Sequence, residues 1–329
     1  MTGRSPVSAP SSVDKPPPLA YCSYHPGRKS QYVQRTERTV MESETGWIWV
    51  DTPKKRQEAG RDIASSPWIA LDTEYDSFRY FRDKLCLIQV KTPSMTYLVD
   101  PLDGTPPEYL TKPFASREVL KVFHAGDNDI RLLHRDFGFT FRNVFDTYRA
   151  ATLLGHQNLS LAALVEECLG IPFPKRKKVQ RSIWDVRPLS EEQLAYAAED
   201  TRHLIPLYEI LSVDIREKGL QEDAKRSFRE IAAARWQERP FRPEGYRRIQ
   251  GVWELNGPQR ERLKRLYAWR WWKSKQMDRS PFMLLSSQEM VALASIENPS
   301  VEMLRRRGIL SPERTGRYGA DLVKVLREA

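Results

Sequence analysis

The sequence WIALDTEYDS, residues 68–77, places a short apolar run directly before three acidic residues. Because side chains alternate along a β-strand, Asp72 and Glu74 are expected to lie on the same face. A buried strand ordinarily keeps charge away from its end, since an unpaired carboxylate is costly to remove from water. The pattern therefore predicts that another group cancels the charge of these acids.

Composition indicates a soluble globular chain long enough for two domains and a tail. The 329 residues are 40% hydrophobic and 29% charged, and no apolar run is long enough to span a membrane. The three cysteines are scattered, which argues against a disulfide framework and fits a reducing compartment. We therefore expect a cytoplasmic protein with no membrane partner.

Positive charge is concentrated in the last third of the chain. Of the formal net charge of +10, residues 222–329 contribute +9, from 23 Lys and Arg against 14 Asp and Glu. A polyanion is the natural partner of such a segment. A solvated cationic surface that binds nothing in particular is the alternative, and charge alone leaves both open.

Sequence patterns divide the chain into four parts. Residues 1–45 are rich in Pro and Ser and are predicted to be a disordered tail. Residues 46–221 alternate strand and helix patterns, which predicts an α/β domain. Residues 222–250 are interpreted as a connecting segment with a helix, and residues 251–329 as a helical domain.

The individual elements follow from hydrophobic periodicity and turn residues. The predicted strands are 46–50, 67–73, 84–90, 96–100, 119–125 and 143–146. The predicted helices of the α/β domain are 54–65, 127–136, 147–154, 160–169 and 190–212. Those of the helical domain are 258–275, 286–294, 299–306 and 313–328.

Two later segments carry acids that could share a site with the first pair. In HAGDNDIRLLHRDFG (124–138), Asp127 is expected to cap a helix and Asp129 to lie in its first turn. Tyr196 and Asp200 are four residues apart in a predicted helix and share one face. Each feature alone is more often a cap or a surface contact, whereas the combination indicates a catalytic site.

These segments resemble a known family. WIALDTEYDS, VFHAGDNDIRLL and LAYAAEDTRHLIPLY are similar, in order and spacing, to the three exonuclease motifs of the ribonuclease D family, of the DEDDy type. The resemblance covers about residues 46–220 and implies a ribonuclease-H-like mixed sheet flanked by helices, with 3′-to-5′ exonucleolytic hydrolysis of nucleic acid. The positions that it implies to be catalytic are Asp72, Glu74, Asp129, Tyr196 and Asp200, and the four acids among them are the implied metal ligands.

Neighbouring residues receive other interpretations. His124 ends a strand and is expected to be a structural histidine rather than a base. Asp146 is interpreted as the N-cap of the following helix. Where the family often has an acidic residue, this chain has Ile183, which leaves the substrate contact at that position open.

The acids require a counter-charge. Two unit charges 4 Å apart repel by about 4 kcal/mol at an effective dielectric of 20, so either some acids are protonated or a multivalent cation holds them. An all-oxygen ligand set suits Mg²⁺ or Mn²⁺, and we expect two such ions, activating the attacking water and stabilising the leaving 3′-oxygen. Tyr196, with an ordinary pKa near 10, is expected to orient this water. No small-molecule cofactor is expected.

Basic and aromatic residues are candidates for substrate contact. KRKKVQR (175–181) carries five positive charges in seven residues, although a solvated loop is the alternative. An aromatic ring after the first motif offers a platform for a terminal base. The residues predicted to contact nucleic acid are Lys175, Arg176, Lys177, Lys178, Arg181, Arg187, Phe78, Trp271, Arg305, Arg306 and Arg307.

Residues 257–329 resemble the helicase-and-ribonuclease-D C-terminal (HRDC) domain, a small all-α module. Trp269 and Trp272 fit the apolar stripe of its long helix and are expected in its core, whereas Trp271 lies off the stripe as a stacking candidate. Arg262 and Arg270 are expected on the nucleic-acid surface of this domain. Such modules also bind proteins, and in that case these arginines would have no role in nucleic-acid binding.

The expected function is metal-dependent 3′-5′ exoribonuclease activity on structured RNAs, and the resemblance makes tRNA precursors the leading substrate. A DNA exonuclease of the same chemistry is the alternative, since some DNA helicases combine this nuclease type with the same C-terminal module. The sequence contains no helicase motor, which favours RNA. A catalytically silent RNA-binding scaffold would predict the loss of a motif acid, and none is missing.

Overall fold

The computed structural model describes residues 46–173 and 176–328. The predicted disorder of residues 1–45 and the prediction for Lys175 therefore lie outside the described residues. The described residues belong to one compact unit. Within the described ranges, no helix combines the length and apolar character that crossing a bilayer requires.

A mixed six-stranded sheet forms the centre of the first domain, in the order β1-β4-β3-β2-β5-β6. Its strands are β1 (Trp47–Val50), β2 (Trp68–Asp76), β3 (Lys84–Lys91), β4 (Thr96–Val99), β5 (Leu120–Phe123) and β6 (Val144–Asp146). Strand β3 is antiparallel to β2 and β4, whereas the β1–β4, β2–β5 and β5–β6 pairs are parallel. The expected strands and the ribonuclease-H-like fold class are confirmed.

Helices cover both faces of this sheet. They are α1 (Pro53–Ser65), α2 (Thr111–Ala115), α3 (Asp127–Phe137), α4 (Thr147–Leu154), α5 (Leu161–Leu164), α6 (Lys177–Gln180), α7 (Glu191–Arg202), α8 (Leu204–Glu217) and α9 (Gln221–Ala232). Ile63 of α1 and Ile130 of α3 share one core with Leu71. Ala197 of α7 packs with Leu87 in a second core. Burial on both faces explains why the middle strands are nearly continuously apolar.

Local differences from the predicted elements have identifiable causes. The predicted helix 160–169 is α5 followed by a π-helical turn over Val165–Leu169, and the predicted helix 190–212 is interrupted at His203 between α7 and α8. The predicted cap at Asp127 is wrong, because Asp127 is already helical and its carboxylate accepts from Arg149 Nη2 at 2.8 Å. The predicted cap at Asp146 is confirmed by its bond to the Arg149 amide, also 2.8 Å.

The helix of the connecting segment packs on the first domain and is not an extended linker between two domains. Helix α9 buries Ala224 and Ile231 in the cores on opposite faces of the sheet. Two short 3₁₀ turns, Pro243–Arg248 and Val252–Glu254, follow it. The boundaries at residues 221 and 250 stay predictions.

The last part of the chain is helical, as expected. Its helices are α10 (Gly257–Met277), α11 (Pro281–Leu284), α12 (Ser287–Ala294), α13 (Val301–Arg307) and α14 (Pro312–Arg327). Leu263 and Leu266 lie in its core, and Trp269 packs against that core. Trp272 is 55% exposed, so its prediction as a core residue is wrong.

Trp271, the predicted candidate for stacking on a base, packs on aromatic side chains of the protein, and its role in base stacking stays a prediction. Its ring meets the edge of Phe81, with centroids 4.9 Å apart, and packs against Phe241 at 5.8 Å. Helix α10 therefore has a second contact face, directed at the first domain, which a single apolar stripe does not reveal. The backbone amide of Ser280 donates to the Arg79 carbonyl at 3.0 Å in the same region.

Arg187 is a structural residue rather than a phosphate ligand. Its guanidinium holds the Asp100 carboxylate with two bonds, Nε to Oδ2 at 2.6 Å and Nη2 to Oδ1 at 2.7 Å. It also donates to the carbonyls of Trp184 and Cys86, each at 2.7 Å. The strand register shifts next to Cys86, and a bulge of this kind leaves backbone groups unpaired in the ladder. Because these partners occupy the planar fork, Arg187 has little capacity left for a phosphate.

Replacing Arg187 by Met is therefore expected to destabilise the fold. The Asp100 side chain is only 8% exposed, and removing one partner of a buried pair leaves an uncompensated charge. We expect the free energy of unfolding in urea to fall by about 3 kcal/mol. The exposed Arg181→Met is the matched control. Unchanged stability together with weakened RNA binding by Arg187→Met would restore the original assignment.

Candidate active site

The acidic residues of the three sequence motifs converge on one face of the sheet, at the inner strand β2. Asp72 and Glu74 lie on β2, and α7 crosses this face and brings Asp200 against them. One carboxylate oxygen from each of these three residues lies within 4.8 Å of the other two. Asp129 reaches the same region from the start of α3, close enough for its charge to act on Asp72 and Glu74. We call these four residues the acid cluster.

A tight turn places Asp129. Gly126 precedes α3, and a Cβ atom there would lie 2.7 Å from the Phe123 side chain, so only glycine fits. The Gly126 amide donates to Asp146 Oδ2 at 2.9 Å, which ties the turn to β6. The Thr73 hydroxyl donates to the Asp129 carboxylate and fixes it beside β2. The helix start and the central strand are thereby held in register.

Tyr196 lies one helical turn before Asp200, and its hydroxyl is hydrogen-bonded to the Asp200 carboxylate. The Tyr196 ring lies beside buried Trp184, with centroids 6.1 Å apart. Trp184 is itself held by a bond from Nε1 to the Gln180 carbonyl at 3.3 Å. The phenol is therefore positioned from both sides.

Electrostatics in the acid cluster disfavour full ionisation. Burial, followed by the charges of its acidic neighbours, raises the pKa of Asp72 and of Glu74 well above the ordinary range. Burial raises the pKa of Asp129 to about 6 and that of Asp200 to about 7, against opposing hydrogen bonds from Thr73 and Tyr196. Burial and the nearby acids also raise the pKa of Tyr196, so this phenol stays protonated at neutral pH.

The donor set fits divalent cations that prefer oxygen. Four carboxyl groups face one another, and within residues 46–173 and 176–328 no ion pair to Lys, Arg or His involves any of them. A cluster with raised pKa values and no cationic partner is the arrangement that Mg²⁺ or Mn²⁺ would stabilise. Asp72, Glu74 and Asp200 are the residues close enough to share an ion.

Two polar residues near the cluster escaped the sequence analysis. Thr73 was overlooked because it lies between two acids in the motif and its neighbour Asp129 is remote in sequence. Gln89 is completely buried directly opposite Asp72 on β3, and neither amide atom has a hydrogen-bond partner among the described residues. The position of Gln89 inside the apolar run KLCLIQV could have indicated a polar site, since a buried amide ordinarily needs a hydrogen-bond partner.

The basic candidates differ in their surroundings. Arg176 lies close enough for its charge to act on Asp200, whose raised pKa it opposes. Lys177, Lys178 and Arg181 are exposed on and beside α6. Arg305, Arg306 and Arg307 are exposed at the end of α13. These residues stay candidates for substrate contact.

Aromatic and other basic candidates are partly engaged within the protein. Phe78 is 68% exposed and packs on Phe282, with centroids 4.6 Å apart. Arg262 donates to the Ile296 carbonyl at 2.6 Å, and Arg270 to the Leu285 carbonyl at 2.9 Å. The expectation that these two arginines belong to a nucleic-acid surface is therefore corrected, because they tie α10 to neighbouring turns.

Family models match both parts of the chain. A model described as 3′-5′ exonuclease matches residues 47–216, and one described as HRDC domain matches residues 259–326. Among solved structures, Escherichia coli RNase D, described as an exoribonuclease involved in structured RNA processing, aligns with a TM-score of 0.65 and 26% identity over 86% of this chain and 74% of that one. The catalytic core of RRP6 from Trypanosoma brucei aligns with a TM-score of 0.77 over 92% and 89%, but at 23% identity it supports the fold alone.

Curated relatives are longer proteins. The exosome complex exonuclease RRP6 of Saccharomyces cerevisiae is 32% identical over 263 residues, which cover 75% of this chain and 36% of the yeast protein. Exosome complex component 10 of Mus musculus is 32% identical over 235 residues, covering 69% and 26%. The chain thus spans about a third of the length of such relatives or less.

Removing one acid is expected to stabilise the metal-free protein at neutral pH. Because the folded-state pKa of Asp200 is raised from 3.8 to about 7, the folded chain binds more protons than the unfolded chain between these values. This contribution to stability is complete below about pH 4 and is lost as the pH rises towards 7. In chelator, Asp200→Asn should match the parent at pH 4 and exceed it at pH 8 by on the order of a few kcal/mol.

Urea denaturation between pH 4 and 8 measures this difference, with Asp214→Asn, outside the acid cluster, as the matched control. Adding Mn²⁺ should stabilise the parent more than Asp200→Asn at pH 8, because the ion neutralises the repulsion only in the parent site. A parent-to-variant difference that stays constant with pH would contradict the electrostatic strain inferred for the cluster.

Proposed function

The chain belongs to the 3′-5′ exonuclease family, in its ribonuclease D-like branch with a C-terminal HRDC domain, and on that basis we propose that it is a metal-dependent 3′-5′ exoribonuclease. The observation that carries this proposal is the acid cluster, in which four carboxyl groups from three distant segments meet and form no ion pair with Lys, Arg or His in the described part of the chain. A site of this kind is unfavourable until it binds divalent cations, which phosphodiester hydrolysis uses.

Each residue of the acid cluster has a proposed task. Asp72, Glu74 and Asp200 would hold the Mg²⁺ or Mn²⁺ ions, of which we propose two, and Asp129 would contribute directly or through water. When bound, such ions activate water and stabilise charge on the scissile phosphate. Tyr196 stays protonated and orients the attacking water, since its raised pKa excludes it as a base near neutral pH.

Substrate contacts are proposed on both sides of the acid cluster. Arg176 is the best placed cation, because its charge already reaches Asp200. The other basic residues of 175–181 and Arg305–Arg307 are proposed to contact phosphates farther along the strand. Phe78, largely exposed, is proposed to stack on a base near the 3′ end.

The proposed substrates are the 3′ ends of structured RNAs, with tRNA precursors as the leading candidate. A solved relative is described as an exoribonuclease involved in structured RNA processing, which supports RNA over DNA. The curated relatives carry exosome names, so larger RNA-processing assemblies are the second candidate setting. A cytoplasmic location and independence from a small-molecule cofactor stay predictions from the sequence.

The experiment compares RNA and DNA oligonucleotides of one sequence, labelled at the 5′ or the 3′ end, with Mg²⁺, with Mn²⁺ and with chelator. We expect a 5′-labelled RNA to shorten in single-nucleotide steps and a 3′-labelled RNA to release its label at once. Chelator should stop both. Faster hydrolysis of DNA would favour the DNA exonuclease alternative.

Asp72→Asn distinguishes an enzyme from a silent binding protein. The variant keeps the shape of the side chain but removes a charge worth several kcal/mol of transition-state stabilisation, so kcat should fall at least about 10³-fold. Binding of the same RNA, measured by fluorescence anisotropy, should persist. Hydrolysis at the parent rate by Asp72→Asn would refute the assignment of the site.

Tyr196→Phe tests whether the phenol positions the reacting groups. Removing the hydroxyl that bonds to Asp200 should lower kcat by about 10²-fold with little change in KM, since small displacements of catalytic groups have effects of this size. Tyr97→Phe is the matched control, because it removes a hydroxyl that donates to Asp62 at 2.9 Å, outside the acid cluster. Equal kcat values for the two variants would exclude the proposed role.

A further inference from the structure

A polar groove of about 480 Å³ lies beside the acid cluster, and most of its lining residues lie outside the motifs of the family resemblance. Three separate parts of the chain form its walls: the loop after β2, the beginning of α3, and the segment 235–239 that follows α9. From the sequence alone, that last segment is predicted only as part of a connection between domains. In the folded chain it completes a binding surface.

Asn128 and Tyr75 connect the groove with the acid cluster. Asn128 lines the groove, immediately precedes Asp129 and is hydrogen-bonded to the Tyr75 hydroxyl. Tyr75 is close enough to Asp129 on one side and to Asp83 in the groove on the other for both charges to act on it. The groove and the acid cluster therefore share the beginning of α3, which contributes Asn128 and Arg131 to the groove and Asp129 to the cluster.

The groove carries a net positive charge. Four arginines line it, against two acids, Asp83 and Glu238. Glu238 is already neutralised by Arg82, at 3.1 Å, and by Lys275 of α10, and Asp83 lies 3.7 Å from Arg239. The acids of the groove are thus held by side chains of the protein itself.

Among the arginines of the groove, Arg131 and Arg235 have the guanidinium groups that are least engaged by other residues of the protein. Arg131 has an ion pair with Asp127, but at 3.6 Å this contact is long and the Arg131 side chain is 41% exposed. Arg235 is exposed and donates to the carbonyl of its neighbour Ala234 at 2.9 Å. An arginine with a single bond retains donors for a phosphate oxygen.

An aromatic side chain lies among these cations. Trp236 lines the groove and is held by Arg135, whose guanidinium lies 5.5 Å from the ring centroid. Cationic grooves with aromatic side chains are the general solution for binding single-stranded nucleic acid, because phosphates meet the charges and bases or riboses meet the rings. The polar lining makes an apolar protein segment a poor occupant.

Building on the proposed exoribonuclease function, we propose that this groove binds the sugar–phosphate backbone of the RNA segment that lies 5′ of the nucleotide being removed. Arg131 and Arg235 contact its phosphates, and Trp236 contacts a base or ribose. The groove recognises single-stranded RNA by charge rather than by sequence. It therefore favours substrates that extend beyond the acid cluster over those that occupy the cluster alone.

The experiment measures how binding depends on RNA length and on salt, with the full chain in chelator. Fluorescence anisotropy gives Kd for a dinucleotide and for a ten-nucleotide RNA, for the parent and for the double variant Arg131→Gln/Arg235→Gln. The matched control is Arg61→Gln/Arg117→Gln, which removes two exposed arginines of the same domain that do not line the groove. Hydrolysis of both RNAs by the parent with Mn²⁺ is recorded separately.

We expect the groove variant to weaken binding of the ten-nucleotide RNA roughly tenfold or more at low salt, and to affect the dinucleotide much less. The dependence of log K on log salt should become shallower by about 0.7 for each lost phosphate contact, hence by about 1.4. The control should bind both RNAs like the parent.

An unchanged salt dependence for the ten-nucleotide RNA, or equal losses for both RNAs, would overturn the groove proposal. Failure of the parent to hydrolyse either RNA would overturn the proposed function instead. The binding measurements would still decide the groove in that case, because they are made without catalysis.

Discussion

Mutual repulsion among four carboxyl groups, three of them buried, is the constraint around which the first domain is organised. Asp72 and Glu74 come from the central strand, Asp129 from a helix start and Asp200 from a helix laid across the sheet. Holding such groups together with no ion pair to a cation among the described residues disfavours the folded state, so the rest of the domain has to supply the stability. Two extensive apolar cores on opposite faces of the sheet do so.

Specific hydrogen bonds hold the acidic side chains in position. The Thr73 hydroxyl fixes Asp129, the Tyr196 hydroxyl fixes Asp200, and Asp146 ties the turn before α3 to β6. The bonds of Thr73 and Asp146 join different elements, whereas the Tyr196 bond lies within α7, so the geometry of the cluster depends on the strands and helices together. Preorganisation of this kind means that a cation meets ligands already in place, without ordering the chain on binding.

Contacts between the two domains extend this organisation towards the substrate. The loop after β2 is bonded to the HRDC domain through the Arg79 carbonyl and Ser280, and Trp271 packs against Phe81 in the same loop. The same loop forms one wall of the basic groove. The helical domain therefore shapes the surroundings of the active site, in addition to any nucleic-acid binding of its own.

The sequence by itself determined the strands, most helices and the acids that converge, because periodicity and motif spacing are local properties of the chain. The contacts and exposure of three side chains, Arg187, Trp271 and Trp272, were decided only by tertiary structure. In the sequence Arg187 has no evident partner, but in the folded chain its guanidinium binds the carboxylate of Asp100, 87 residues away. The apolar stripe of α10 shows the face that packs in its own domain and cannot show that another face contacts the first domain. The groove likewise forms from three segments that are remote in sequence. The ion pairing of each arginine and the burial of Trp236 depend on neighbours that only the folded chain brings together.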